Sequence, residues 1–487
     1  MRRLVLLALV PLLAGCFGQP TETDQGGTGR EITGGFYGAL TGDAPPGCDA
    51  TRPAIAHGPD GVDVSWSGPV GIPCLVVTAW GTGEPSIGLT SGGTLFLYPT
   101  FQAPNEATSD AEQFTGLAMA RSLDEGETFT RQFSEVGPTP ANFHPYTADP
   151  FMYVDPYTDR VFMEDLAVPP FNCANLSYSD DDGETWTQTL GGCMVWDHVG
   201  YGSGPPIVSD PSWPVVIQRC AITLFATTIA SEASGCQKTL DGGMTWQPPG
   251  DPAFFGGPDG LPYVPGECHG AVHHVFVDHR GWTWLGRDWC GTGPWIALSK
   301  DEGATWEHLH VHEKPLTWHD VGVGVDSAGT AYAFWISSDD RPMLSVSKDD
   351  GATWSEPWDI APPGLLTAGN ANIAPGGAGK AGFSYAGTFE GMEGVHAVLA
   401  SGFGLGTGAP VFVTGVPGEP INDGECGGGL CDGQADFLDA SVGPDGTVWG
   451  SYAIPNLAGG RLWGAPSLWD ESDPNGVYGG WERFVAP

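Results

Sequence analysis

The sequence predicts an all-β chain built from one repeated sheet unit, on three observations. The composition is turn-rich, with 75 glycines, 43 prolines and 19 tryptophans in 487 residues. Short apolar runs such as Val161 to Met163, Val215 to Ile217 and Thr330 to Trp335 are bounded by Gly, Pro and Asp, and long helical periodicities are absent. An eight-residue pattern, S/T-x-D-x-G-x-T-W/F, recurs five times, from Ser122, Ser179, Thr239, Ser299 and Ser347. A recurrence at intervals of 57, 60, 60 and 48 residues marks stacked copies of one supersecondary unit.

The chemistry of the pattern is that of a hairpin turn. Asp124, Asp181, Asp241, Asp301 and Asp349 offer carboxylates to turn N–H groups, and Gly126, Gly183, Gly243, Gly303 and Gly351 tolerate a positive φ. The aromatic residue that follows opens the next strand and packs between sheets. These aspartates therefore read as architecture.

A second pattern precedes each turn by about 30 residues, where an inner strand would begin. It starts at Glu84, Asp149 and Asp320, with related starts near Asp197, His269, Asn370 and Asp436. Seven starts predict seven four-stranded units, with six as the alternative count. Closure of the ring falls to a strand from residues 60 to 80 or to the segment near Trp481.

The eight-residue motif is similar to the Asp box, and the chain resembles the BNR-repeat, sialidase-like β-propellers over most of residues 60 to 487. The resemblance implies a single propeller with each Asp box between the third and fourth strands of a blade, on the face away from the ligand site. It also implies, for a true sialidase, a tyrosine with a glutamate partner, an acid/base aspartate and three arginines clamping a carboxylate. Arg219, Arg287 and Arg341 lie in the blade region, but the Phe/Tyr-Arg-Ile-Pro motif of that family is missing and the chain has only thirteen arginines.

The N-terminus reads as an export signal. Arg2 and Arg3 precede an apolar run from Leu4 to Leu13, too short to span a bilayer, and Leu13-Ala14-Gly15-Cys16 resembles a prokaryotic lipobox. The expected organisation is a signal peptide over 1–15, lipidated Cys16 with a Gly/Thr/Pro-rich tether over 16–47, and the propeller over 48–487. The expected location is the cell envelope, outside the cytoplasm, with the membrane contacted only through the lipid. Ten cysteines remain, an even number that in an exported chain reads as disulfides. Proximity suggests Cys48 with Cys74, Cys173 with Cys193, Cys220 with Cys236, Cys268 with Cys290 and Cys426 with Cys431. Formal charge is −40, becoming −42 once the two signal arginines are cleaved, which repels nucleic acid.

Catalytic candidates are the strand-start acids Glu84, Asp149, Asp197 and Asp320. The expected pocket adds His198, His269, His319, Asp436, Arg287 and Arg341. His308, His310 and His312 alternate along one strand and offer a metal face, set against a solvated strand face. Asp423, Asp432, Asp436 and Asp439 surround the Cys426 to Cys431 loop and offer oxygen ligands for Ca2+, without EF-hand spacing. No phosphate-cradling loop, GxSxG elbow or HExxH motif is present. The function these features favour is binding of an extracellular glycan or protein. Glycoside hydrolysis by paired carboxylates is the alternative, and an envelope scaffold the third reading.

Overall fold

The computed structural model describes residues 27–28, 53–67, 72–77, 85–98, 116–124, 130–135, 148–166, 174–191, 196–224, 232–256, 274–287, 293–317, 321–432, 434, 438–455 and 477–485. Among these, seven antiparallel sheets of four or five strands stand in a ring, accompanied by one two-stranded hairpin. The innermost strands are Ser86–Leu89, Ala148–Val154, Trp196–Gly204, Phe276–Val277, Gly322–Val325, Leu365–Pro375 and Asp439–Val442. Each packs against the next, and the last returns to the first. The all-β propeller expected from the sequence is the fold. We number the sheets as blades 1 to 7 in the order of these inner strands.

The two ends of the chain close the ring together. In blade 7, strand Val448–Pro455 pairs with Val477–Val485, and that strand pairs in turn with Ile72–Val77. An N-terminal strand thus completes a sheet that is otherwise C-terminal, so opening the ring requires separating segments about 400 residues apart in sequence. Among the described residues, no helix is long and apolar enough to cross a membrane.

The five repeats lie at the outer hairpins, after the third strand of each of blades 1 to 5. In blade 3, Thr245 donates its N–H and hydroxyl to the two Asp241 oxygens at 2.9 and 2.6 Å. Thr239 Oγ1 donates to Asp241 at 2.7 Å and accepts the Gly243 N–H at 2.9 Å. The same bonds recur around Asp181, Asp301 and Asp349. Gly183, Gly243, Gly303 and Gly351 all have φ between 79° and 97°, which a side chain would strain. Partial burial raises the Asp241 carboxyl, but the hydrogen bonds from Thr245 and Thr239 outweigh it and hold the pKa below the usual value. Such a depressed pKa contributes stability that is present above the unfolded-state value and is lost as pH falls. Asp241→Ala is therefore expected to lower stability by about 1 kcal/mol at pH 7, with the deficit shrinking below pH 4. Urea denaturation at both pH values checks this, and an unchanged midpoint at pH 7 would contradict it.

The residue at the fourth position of the repeat carries the blade-to-blade contact. Asp182, Gly242, Glu302 and Asp350 all sit at positive φ. Arg121 of blade 1 donates to Asp182 O at 2.9 Å, and Arg160 of blade 2 to Gly242 O at 2.5 Å. Arg280 of blade 4 donates to Asp350 Oδ1 at 2.5 Å. Between blades the fill is apolar, as where Phe96 of blade 1 packs with Met152, Val154 and Trp186 of blade 2. Two disulfides are described. Cys220–Cys236 joins directly opposed positions of adjacent strands in blade 3, and Cys426–Cys431 closes the hairpin between blades 6 and 7. The other three expected pairs involve side chains outside the described residues.

Candidate functional site

The inner hairpins supply a common reference level. Thr90, Asp155, Asp278, Asp326, Gly376 and Gly443 each donate their N–H across the turn that ends an inner strand. Four residues before each lie Ser86, Phe151, His274, Gly322, Asn372 and Asp439. An even offset along an extended strand keeps one orientation, so these residues form a layer around the axis. Antiparallel pairing puts the inner hairpins and the repeat turns at the same end of the ring. The inner strands therefore begin at the opposite end, and the layer lies toward that mouth.

Three polar side chains of the layer meet, from blades 4, 6 and 7. His274 Nδ1 lies 3.5 Å from Asp439 Oδ1 and 3.5 Å from Asn372 Nδ2. Asn372 Nδ2 donates to Asp439 Oδ1 at 3.1 Å and to Leu438 O at 2.8 Å. Phe151 of blade 2 meets the His274 ring edge-on, 4.5 Å between centroids. In blade 3, Gly200 lets the chain at His274 approach, since a Cβ there would come within 2.9 Å of His274 Cα. His274 thus touches blades on both sides of the axis.

Asp439 is held as an oriented acceptor. Its Oδ2 accepts the Ile87 N–H of blade 1 at 2.9 Å, and its Oδ1 accepts the Ala440 N–H at 2.8 Å. Ser451 Oγ accepts the Asp439 N–H and donates to Pro85 O at 2.6 Å. The His274 and Asp439 side chains remain 13% and 11% exposed, enough to present an edge to the mouth. An imidazole, an amide and a carboxylate beside an aromatic ring can read the donors and acceptors of a hydroxylated ligand.

The sequence-derived candidates distribute as follows. Asp149 and Asp197 fall near the starts of the inner strands of blades 2 and 3, described by backbone alone. His198 sits at φ 56° within an irregular register between Asp197 and Gly200. Glu84, His269, His319, Asp320 and Asp436 lie outside the described residues. The three arginines have different partners. Arg219 of blade 3 binds Glu164 of blade 2, and Arg287 of blade 4 donates to Ser234 of blade 3 at 2.9 Å. Arg341 donates to Asp359 at 2.8 Å and to Leu365 O at 2.7 Å. Arg219 and Arg287 are fully buried. Each guanidinium has its own partners in the blade packing.

The three alternating histidines also part company. His308 Nε2 lies 2.7 Å from Ala253 O, His310 packs on Trp295, and His312 approaches Glu356 at 3.3 Å. Among the described residues, no group of His, Cys, Asp and Glu is arranged to hold a metal ion. Asp432, one of the acids proposed for calcium, accepts the Glu425 N–H at 3.0 Å.

Sequence reasoning did not single out Phe151, His274, Asn372 and Asp439 as one site. The available signal was distance from the inner hairpin, because each lies four residues before it. Reading from the strand start instead selected residues farther up the chain.

No family model matches the chain, and no curated protein matches it. Solved structures do align with it. A protein of unknown function from Dyadobacter fermentans is 13% identical with a TM-score of 0.41, covering 91% of this chain and 100% of its own. The Hadza microbial sialidase Hz136 is 14% identical with a TM-score of 0.40, covering 69% of this chain and 66% of its own. The Aleuria aurantia lectin in complex with Fucalpha1-6GlcNAc is 10% identical with a TM-score of 0.38, covering 70% and 97%. The class that the sheet topology of this chain defines is the β-propeller.

Proposed function

We propose that this chain is an exported, envelope-anchored propeller that binds an extracellular glycan at the mouth where its inner strands begin. The observation that carries the reading is the meeting of His274, Asn372 and Asp439, from three blades, against Phe151. Oriented amide, imidazole and carboxylate groups beside an aromatic ring suit the alternating hydroxyls and C–H faces of a sugar. A glycosidase would need two carboxyl groups facing each other at about 5 to 10 Å. Asp439 is the carboxylate of the described layer, and both its oxygens accept backbone N–H groups. The Asp-box resemblance and the lipobox at Cys16 support the rest of the reading: a sialidase-like binding surface held to the membrane by an N-terminal lipid.

A glycan array probed with the fragment from residue 48 onward tests the binding. Capture of at least one glycan is expected, with Asp439→Asn and His274→Ala weakening it at least about ten-fold, the loss of about one oriented hydrogen bond. Absence of capture on every glycan would overturn the reading, and release of reducing ends would replace it with hydrolysis. Full-length protein should partition with membranes and Cys16→Ser should not. An unmodified Cys16 in mass spectra of the mature chain would refute the anchor.

A further inference from the structure

The two-stranded hairpin Cys426–Gly427 and Leu430–Cys431 belongs to no blade. Its disulfide cross-links directly paired positions, and its tip reaches back onto the inner strand of blade 6. The Asn370 N–H donates to Gly429 O at 2.8 Å, and Asn370 Oδ1 accepts the Cys431 N–H at 3.0 Å. Gly428 N–H is held by Asp340 Oδ1 at 2.9 Å. The packing at Gly369 is close enough that a Cβ would fall 2.6 Å from the Leu430 carbonyl carbon.

Asn370 is also where the strand breaks register. Gly369 pairs with Ala386 and Asn372 with Ser384, so the inner strand carries one residue more than its partner. Asn370 has φ 54°, a left-handed conformation that asparagine tolerates better than most side chains. A one-residue bulge reverses which face the following side chains occupy. Asn372, two residues on, is thereby aimed at His274 and Asp439.

We infer that the disulfide-closed hairpin is a positioning device for the axial site: through Asn370 it pins the bulge that points Asn372 at the ligand. The inference rests on the glycan-binding reading for its biological meaning, but its geometric content stands apart from it. A cross-link over so short a loop restricts the unfolded chain little, so its removal acts locally on the site more than on the fold. Asn370 is a positioning residue here, because it acts on the ligand only through Asn372.

Full-length variants Cys426→Ser/Cys431→Ser, Asn370→Gly and Asn370→Asp test it by two readouts. The first is NMR of protein selectively labelled at Asn and His, following the Asn372 side-chain amide and the His274 ring. The second is affinity for a glycan captured by the wild type. The serine pair and Asn370→Gly, which keeps the backbone conformation but deletes the acceptor, should shift both signals and weaken affinity about ten-fold. Asn370→Asp, which keeps an acceptor for Cys431 N–H, should restore wild-type signals and affinity. Wild-type signals in Asn370→Gly would overturn the inference, as would equal perturbation by Gly and Asp, even if the serine pair fails to fold. Shifted signals with rescue by Asp, in a protein that captures no glycan, would uphold the positioning role and remove the binding reading instead.

Discussion

Arg219→Met is expected to lower stability by about 3 to 5 kcal/mol, the usual consequence of leaving one partner of a buried ion pair behind. Arg219 is fully buried and Glu164 1% exposed, and they bridge blades 2 and 3. Arg219 Nε donates to both carboxylate oxygens, at 2.9 and 2.7 Å, while its Nη2 and the Tyr201 hydroxyl also donate to Glu164. Burial pushes the Glu164 carboxyl above its ordinary pKa, and Arg219 pulls it part of the way back. Removing the guanidinium leaves burial unopposed. A raised folded-state pKa means that ionisation opposes folding, so the variant's deficit should grow as pH rises. Urea denaturation at pH 5 and pH 8 measures this. Glu164→Gln in the Arg219→Met background should recover part of the loss by removing the stranded charge. A deficit under about 1 kcal/mol, or one that does not grow with pH, would show that the pair does not hold the blades together.

That result also bears on how the sequence can be read. The sialidase resemblance implies three arginines clamping a carboxylate, a task to which arginine is suited, and Arg219, Arg287 and Arg341 lie in the blade region without the family's motif. Arginine is equally suited to bridging blades, and a propeller has a junction for every blade. Spacing along the chain cannot separate the two uses. The repeat turns were legible because all their chemistry is local: Thr245, Asp241 and Thr239 lie within six residues and bond to each other. Ring closure was legible in part: residues 60 to 80 and the segment near Trp481 stood as alternatives, and the strands at 72–77 and 477–485 pair with each other. The axial layer was not, because inner strands have irregular starts. Register breaks at Ala148/Phe151, Asp197/Gly200 and Gly369/Asn372 change which face each residue occupies. Counting forward from Asp149, Asp197 or Asn370 therefore loses phase, whereas counting back from Asp155 or Gly376 keeps it.

The junction between blades 3 and 4 yields the second large effect, at Glu302. This residue takes the fourth position of its repeat with φ 60° and is 3% exposed. Its Oε1 accepts three successive backbone N–H groups, from Ile207, Val208 and Ser209, at 2.7, 3.0 and 3.2 Å. Its Oε2 accepts Ser209 Oγ at 2.5 Å and Lys238 Nζ at 2.7 Å. Burial raises the carboxyl, but the bonds from Lys238, Ser209 and the two preceding backbone N–H groups outweigh it and bring the pKa down to about 2. Glu302→Ala should cost about 3 kcal/mol, since it strands Lys238 and leaves the 207–209 N–H groups without their acceptor. Asp350 holds the same repeat position one blade on, but pairs with Arg280 while its side chain is 45% exposed. Solvent screens that pair, so Asp350→Ala should cost less than about 1 kcal/mol. The depressed pKa gives the sign with pH: the contribution of Glu302 is complete above its unfolded-state pKa and is lost as pH falls toward 2. The wild type and Glu302→Ala should therefore differ most at neutral pH and converge between pH 4 and 2. Parallel denaturation curves that keep their separation at pH 2.5, or equal losses for Glu302→Ala and Asp350→Ala, would refute the assignment of this junction to a buried, ionised glutamate.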